Sequence, residues 1–390
     1  MKKVVTIIGA RPQFIKAAAV SRAIIAHNAT NSDPRFSIKE VVVHTGQHYD
    51  ANMSDVFFAE LGMERPAYHL DIHGGNHGEM TGRMLIEIEK VLLAETPDYL
   101  LVYGDTNSTL AGALAASKLH IPIAHVEAGL RSFNMKMPEE INRILTDRIS
   151  NILFCPTETA VENLRREGFR LSDDPQSTSN DPLVVNTGDV MYDVARYYAE
   201  KVSADGGLLK ELGLSPKEYV LATIHRAENT DHPERLNNII AALIELSKEL
   251  PVVLPLHPRT RKILESADSQ SQIQNSKSFI MIDPVGYLDM VQLEKYAALI
   301  ATDSGGVQKE AFFYQVPCVT LRDETEWVEL VEAGWNRLAP PVSVESVLQT
   351  LCVAVATRGS DVQPYGGGTA ANKIVDALIG LQSPFEQVRR

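Results

Sequence analysis

Three acidic residues, two histidines and a glycine-opened helix are the parts of this sequence best suited to chemistry. Asp105, in "VYGDTNSTLAG", and Glu127, in "HVEAGLRSFNMKMPEEINR", each follow an apolar run, and Glu139 comes later on the same charged stretch. Carboxylates in such places can take and return protons. In "ATDSGGVQKEA" an apolar run ends at Asp303, and Ser304, Gly305 and Gly306 then open a helix. Glycine lets a ligand approach the backbone, and the first N–H groups of a helix face an anion, so this segment can cradle phosphate. Glu310, on the same helix, is within reach of a ribose that continues from the phosphate. Arg11 and Lys16 in "IIGARPQFIK", His225 with Arg226 in "IHRAENT", and His257 with Arg259 and Arg261 in "PLHPRTRK" could face an anion as well. Each motif also has a plain structural reading: Asp105 or Ser304 as a helix cap, Arg11-Pro12 as a helix start, one histidine as part of a core. Together they suit acid–base chemistry on a nucleoside diphosphate. Two reaction classes fit: glycosyl transfer, or rearrangement of a sugar while UDP remains its handle.

Other chemistries lack their signatures. Neither G-x-G-x-x-G nor G-x-x-x-x-G-K-[ST] occurs at the glycine-opened helix, so neither a dinucleotide-dependent oxidoreductase nor a P-loop ATPase is supported. No G-x-S-x-G elbow marks a covalent nucleophile. His69, His73 and His77 recur every four residues, but Gly74 and Gly75 break any helix that would put the rings on one face. No metal and no cofactor are therefore expected.

The elements that must position these residues are short apolar runs alternating with longer helical patterns. "KVVTIIG", "IKEVVVHTG", "DYLLVYGD", "PIAHVEAG", "NILFCPT" and "PLVVNTGD" read as buried strands, and a second cycle follows with "EYVLATIHR", "LPVVLPLH", "FIMIDPVG", "AALIATDSGG" and "VPCVTLRD". This is the βαβ pattern of parallel sheets covered on both faces. Two doubly wound α/β domains are expected, residues 1–190 and 191–368, with a terminal helix over 369–382. The polar stretch "LSDDPQSTSNDP" reads as a surface loop. Ligands of open parallel sheets bind beyond the carboxyl ends of the strands, where the charged motifs fall, and two such domains facing each other would share one cleft.

The 390-residue chain has 44% hydrophobic residues and a formal net charge of −13, which suits two globular cores and argues against nucleic-acid binding. Cys155, Cys318 and Cys352 are far apart, as expected of a reducing compartment. "MKKVVTIIGARP" reads as a first strand rather than a secretory leader, and no apolar run is long enough to span a bilayer.

The stretches "GARPQFIK", "TGQH", "GDTNSTLAG", "HVEAGLRS", "PEEINR", "FCPTETA", "NTGDVMYD", "HRAEN" and "DSGGVQKEA" resemble, in order and over nearly the whole chain, the non-hydrolysing UDP-N-acetylglucosamine 2-epimerase family. The resemblance implies two Rossmann-like domains of the glycosyltransferase B type, with the C-terminal helix returning to the first. It implies elimination of UDP across C1–C2 to a 2-acetamidoglucal and re-addition with C2 inverted. Asp105, Glu127 and Glu139 would be the acid–base group, with His225 assisting. Arg11, His257, Ser304 and Glu310 would hold the nucleotide, beside Gly305, Gly306 and Lys16. "QHYD" at Gln47–Asp50 and "HRAE" at His225–Glu228 depart from the "QHRE" and "HRRE" of hexosamine members. Those positions lie near a second, activating substrate site in bacterial members, so that regulation is not carried over. "SFNMKMPEEINRILTDRIS" and "RDETEWVELVEAG" are more similar to the branch acting on UDP-2,3-diacetamido-2,3-dideoxy-glucuronate, which serves surface polysaccharide synthesis. A uronate needs a partner for its C6 carboxylate, and Arg131 and Lys136 are the candidates on the loop. A UDP-sugar is the expected partner, with neither nucleic acid nor membrane, and a cytoplasmic homodimer is the expected form. The competing readings are a B-type glycosyltransferase, which needs an acceptor groove, and a nucleotide-sugar sensor, which has no use for acids beside an anion.

Overall fold

Strands covered on both faces are apolar at nearly every position rather than at alternate ones. A computed structural model describes residues 1–31, 33–47, 63–171, 178, 181–266, 278–355 and 357–380. Tyr49, Asp50, most of the polar loop at 171–182 and the last two residues of the expected 369–382 helix lie outside the described residues. The chain forms two compact units, Met1–Val194 with the chain from Gln363 onward, and Ala195–Val362.

The first unit holds β1 (Lys2–Ile8), β2 (Ile38–His44), β3 (Tyr68–His69), β4 (Tyr99–Tyr103), β5 (Ile123–Val126), β6 (Ile152–Cys155) and β7 (Leu183–Asn186). They form a parallel sheet in the order β3-β2-β1-β4-β5-β6-β7. Val4, Val5, Ile7 and Ile8 of β1 and all of β4 are buried, as the apolar runs require. The second unit holds β8 (Val220–Thr223), β9 (Val252–Pro255), β10 (Phe279–Ile282), β11 (Leu299–Thr302), β12 (Cys318–Thr320) and β13 (Asn336–Leu338), again parallel, in the order β10-β9-β8-β11-β12-β13. In each sheet the order reverses once, between β1 and β4 in the first and between β8 and β11 in the second. The connections leaving those strand pairs go to opposite faces and leave a crevice at the strands' carboxyl ends.

Two strands escape the sequence pattern. β3 pairs only Val43 with Tyr68 and His44 with His69, and β13 pairs three residues with β12. Both are short edge strands, partnered on one side, so neither needs an apolar run to mark it.

The units divide at Val194 and Gln363, a few residues from the expected 190 and 368. The difference at the second point has a visible cause: Asp189 N–H donates to Tyr365 O at 3.0 Å, and Tyr365 is 1% exposed, so the chain before the last helix is already part of the first unit. The last helix, Ala370–Gly380, packs against the Arg11–Thr30 helix and is held at both ends. Asp193 accepts from the N–H groups of Ala370 (3.1 Å) and Ala371 (2.7 Å), and Lys2 Nζ donates to Leu378 O (2.8 Å) and Ile379 O (2.9 Å). An acid at the amino end and a base at the carboxyl end both complement the helix dipole. Asp193→Ala should therefore cost about 0.5–2 kcal/mol, read from urea unfolding. An unchanged midpoint would mean that packing alone secures the helix.

Candidate active site

In the first unit several of the expected residues stand at the carboxyl ends of the strands. The helix after β1 supplies Arg11 and Lys16, the turn after β4 supplies Asp105, and Glu127 follows β5 directly. Glu127 takes a φ of +73°, a backbone region that residues with a Cβ rarely enter. Its carboxylate contacts Lys16 Nζ, and each side chain is 11% exposed. Gly104, with φ +60°, leaves the room: a Cβ there would stand 3.2 Å from the Glu127 carboxylate. Strain of this kind persists only where the surroundings enforce it, and it gathers at functional sites.

Asp105 is gripped by Arg143 from the Pro138–Ile149 helix, with Nε at 3.1 Å and Nη2 in closer contact. Arg143 Nη1 also donates to Glu140 at 2.8 Å. Glu140 is 1% exposed and accepts from Ser132 N and Oγ (both 2.9 Å) and from Phe133 N (2.8 Å), which ties the 131–137 loop to the helix. Burial alone would raise its pKa; the hydrogen bonds from Ser132 and Phe133 and the Arg143 charge outweigh burial and hold the carboxyl below its ordinary value. Glu139, the neighbouring residue, is exposed on the first turn of the same helix. Gln13 joins the first turn to the fourth strand: its amide oxygen accepts from Gly9 N (2.8 Å) and Ala10 N (3.0 Å), and its amide nitrogen donates to Tyr103 O (2.8 Å) and Thr109 Oγ1 (2.9 Å).

Beneath this layer lies a closed charge network. His125 and Asp147 are fully buried and bonded Nδ1 to Oδ1 at 2.7 Å, while His125 Nε2 meets Gly104 O at 2.7 Å. Both ring nitrogens thus face oxygen acceptors. Asp147 Oδ2 accepts from Gly129 N (3.2 Å) and Arg131 Nη1 (2.7 Å). Burial would raise the Asp147 pKa, but His125 and Arg131 reverse this and lower it. Arg131 corrects an expectation. Its side chain is 1% exposed, and it donates to Leu130 O, Asp147 and, with Nε (2.6 Å) and Nη2 (2.8 Å), to Glu167. With its donors turned inward, Arg131 does not present itself to a ligand.

In the second unit Asp303, 0% exposed at the end of β11, accepts from the N–H groups of His225 (3.1 Å) and Arg226 (3.0 Å) and from Asn229 Nδ2 (3.2 Å). This pins the turn after β8 to the end of β11. His225 lies half-buried with its ring centroid 5.5 Å from that of exposed His257. Burial, helped by Arg226 and His257 and opposed by Asp303, pushes His225 below its ordinary pKa, so the ring is neutral near pH 7. Arg259 and Arg261, read with His257 as anion ligands, pair with Asp231 and Asp283. Ser304 precedes the Gly305–Phe313 helix, and its hydroxyl does not cap it. Gly306 is exposed at the helix start, and Gly305 is buried where a Cβ would collide with the Glu326 carboxylate. The first-turn N–H groups of such a helix have no intrahelical acceptor. Glu310 is half-buried farther along it.

The three spaced histidines separate: His69 bonds His44 at 2.7 Å, His73 lies 3.5 Å from Asp71, and His77 bonds Asn107. Sequence reasoning missed Arg143, Glu140, Gln13, Asp147 and Asp303. A signal existed for the first two: Arg143 stands three residues after Glu140 and four after Glu139 in a helical stretch, the spacings at which helical side chains meet.

The family model for UDP-N-acetylglucosamine 2-epimerase matches residues 29–379. The chain is 55% identical over 383 residues to the UDP-2,3-diacetamido-2,3-dideoxy-D-glucuronate 2-epimerase of Pseudomonas aeruginosa, covering 97% of this chain and 100% of that protein. It is 44% identical over 381 residues to a UDP-N-acetylglucosamine 2-epimerase of Methanocaldococcus jannaschii, covering 96% and 98%. The crystal structure of Methanocaldococcus jannaschii UDP-GlcNAc 2-epimerase in complex with UDP-GlcNAc and UDP matches with a TM-score of 0.79 at 43% identity, over 96% of this chain and 99% of that one.

Arg131→Ala should leave buried Asp147 short of a partner and cost roughly 3–5 kcal/mol in urea unfolding. An arginine that served a ligand instead would leave stability unchanged on removal and raise KM.

Proposed function

We propose, because the chain belongs to the UDP-N-acetylglucosamine 2-epimerase family, that it inverts C2 of a UDP-linked 2-acetamido sugar from gluco to manno. The observation that carries this reading is the pair of carboxylates at the crevice of the first sheet, each held by a cation: Glu127 by Lys16 and Asp105 by Arg143. The C2 hydrogen sits on the carbon that bears the acetamido group, with no carbonyl next to it, and is not acidic on its own. A base removes it as the C1–O bond to UDP breaks, leaving a 2-acetamidoglucal. UDP then adds back to C1 as a proton is delivered to the opposite face of C2. Asp105, Glu127 and Glu139 form the group that moves these protons, and neutral His225 assists. Ser304, Gly305, Gly306, Arg11 and His257 hold the departing diphosphate, where fixed donors stabilise the charge that develops. Glu310 accepts from the ribose.

The substrate favoured here is UDP-2,3-diacetamido-2,3-dideoxy-glucuronate, whose product serves surface polysaccharide synthesis. Two observations support it: the relative of that name is 55% identical, and Lys136 stands exposed on the loop anchored by Glu140, while Lys16, Arg131 and Arg143 are each paired with a carboxylate. That support leads us to assign the C6 carboxylate to Lys136. UDP-N-acetylglucosamine, bound in the Methanocaldococcus jannaschii structure, is the second reading. We take the active form to be a homodimer: Ile86 and Leu93 on the His77–Glu95 helix, and Ile141 and Leu145 on Pro138–Ile149, are between 40% and 60% exposed, apolar side chains that a second copy would cover. Unpaired Cys155, Cys318 and Cys352 suit the cytoplasm.

Turnover in deuterated buffer should place deuterium at C2, and kcat/KM should be higher for the uronate than for UDP-N-acetylglucosamine. Retention of the original C2 hydrogen would exclude the mechanism; equal or better activity on UDP-N-acetylglucosamine would exclude the uronate preference.

Asp105→Asn, Glu127→Gln and Glu139→Gln should each lower kcat by on the order of 10²-fold or more, with UDP binding retained in calorimetry. Near-normal kcat in any one of them removes that residue from the proton transfers.

A further inference from the structure

The second unit contains a carboxyl group that the proposed chemistry leaves unused. Glu294, on the Tyr287–Tyr296 helix, is 1% exposed, and among the described residues no donor reaches either of its oxygens. It shares a hydrogen bond with Glu310 on the Gly305–Phe313 helix, which packs against its own. Two carboxyl groups share a hydrogen bond only when one of them supplies a proton. Burial decides which one: Glu310 is half-exposed and Glu294 is not, and a buried carboxylate without a donor is the costlier ion. Burial first, then the Glu310 charge and the shared bond, push the Glu294 carboxyl well above the usual carboxylate range. Tyr219, Tyr314 and Cys318, which sense its charge from neighbouring elements, are pushed up mainly by their own burial and stay neutral near pH 7. The pair therefore carries one proton and one negative charge.

We propose that Glu294 is a positioning residue for the nucleotide: it donates its proton to one Glu310 oxygen and so fixes the other oxygen to accept from the ribose hydroxyls. The inference rests on the reading that Glu310 binds the ribose of UDP. A glutamate has three side-chain torsions, and ordering them at the moment of binding costs entropy. A donor behind Glu310 removes that cost beforehand.

The test measures UDP affinity by calorimetry on the full chain for the wild type, Glu294→Gln, Glu294→Met, Glu310→Ala and the Glu294→Met/Glu310→Ala double variant. Glu294→Gln keeps a neutral donor and should bind within about twofold of wild type, while Glu294→Met should bind about tenfold more weakly without loss of thermal stability. In the Glu310→Ala background, Glu294→Met should add nothing further. At about pH 8, where exposed carboxyls are ionised, the infrared spectrum should show a protonated-carboxyl band that Glu294→Gln removes. Unchanged UDP affinity in Glu310→Ala would overturn the nucleotide reading itself. Weakened binding in Glu310→Ala with wild-type binding in Glu294→Met would overturn the positioning role alone, as would equal losses in the Gln and Met variants. If Glu294→Met fails to fold, persistence of the infrared band in Glu294→Gln overturns the proposal instead.

Discussion

A fully buried carboxylate, Asp147, decides where the loops of the first unit go. From the Pro138–Ile149 helix it takes a hydrogen bond from His125 on β5, one from the Gly129 backbone and one from Arg131. His125 in turn holds the Gly104 carbonyl, and Gly104 precedes Asp105 and abuts Glu127. One charge thus connects the ends of β4 and β5 with the helix that carries Arg143 and Glu139. An unpaired carboxylate in that place would be strongly destabilising, so the surrounding backbone has little freedom to depart from the geometry that satisfies it.

The second unit solves the same problem with Asp303. It gathers the N–H groups of His225 and Arg226 and the Asn229 amide, joining the turn after β8 to the end of β11. In both units a buried acid bridges loops at the strand ends. The physical need is common to both: a crevice at the carboxyl ends of parallel strands is lined by loops, loops are the least ordered part of such a fold, and charge-assisted hydrogen bonds from a buried carboxylate order them without occupying the crevice.

Above these anchors, two candidate carboxylates are matched with cations of limited exposure. Lys16 with Glu127 and Arg143 with Asp105 are held by a long helix and a short one, while Glu139 stays exposed on its first turn. The acids therefore meet different surroundings, which is the condition for neighbouring carboxyl groups to differ in proton affinity. Glu294 and Glu310 extend the principle: there a shared proton, in place of a cation, settles the charge of a carboxylate pair.

The parallel sheets were legible from sequence because strands buried on both faces need unbroken apolar runs, and the position of the candidate motifs was legible because they stand where those runs stop. Asp105, Glu127, His225 and Ser304 all follow strands for this reason. β3 and β13 were not legible, since two or three residues at a sheet edge carry no pattern of their own. Nor was the pairing of charges. Arg131 and Arg143 lie on one charged stretch and look alike as potential ligands, yet Arg131 is enclosed by Asp147 and Glu167 while Arg143 reaches Asp105, 38 residues earlier in the chain. Residue type and local spacing determined which groups the protein brings to its strand ends. Only the tertiary structure decided which of them are spent on one another, because a charge pair depends on the distance between segments remote in sequence.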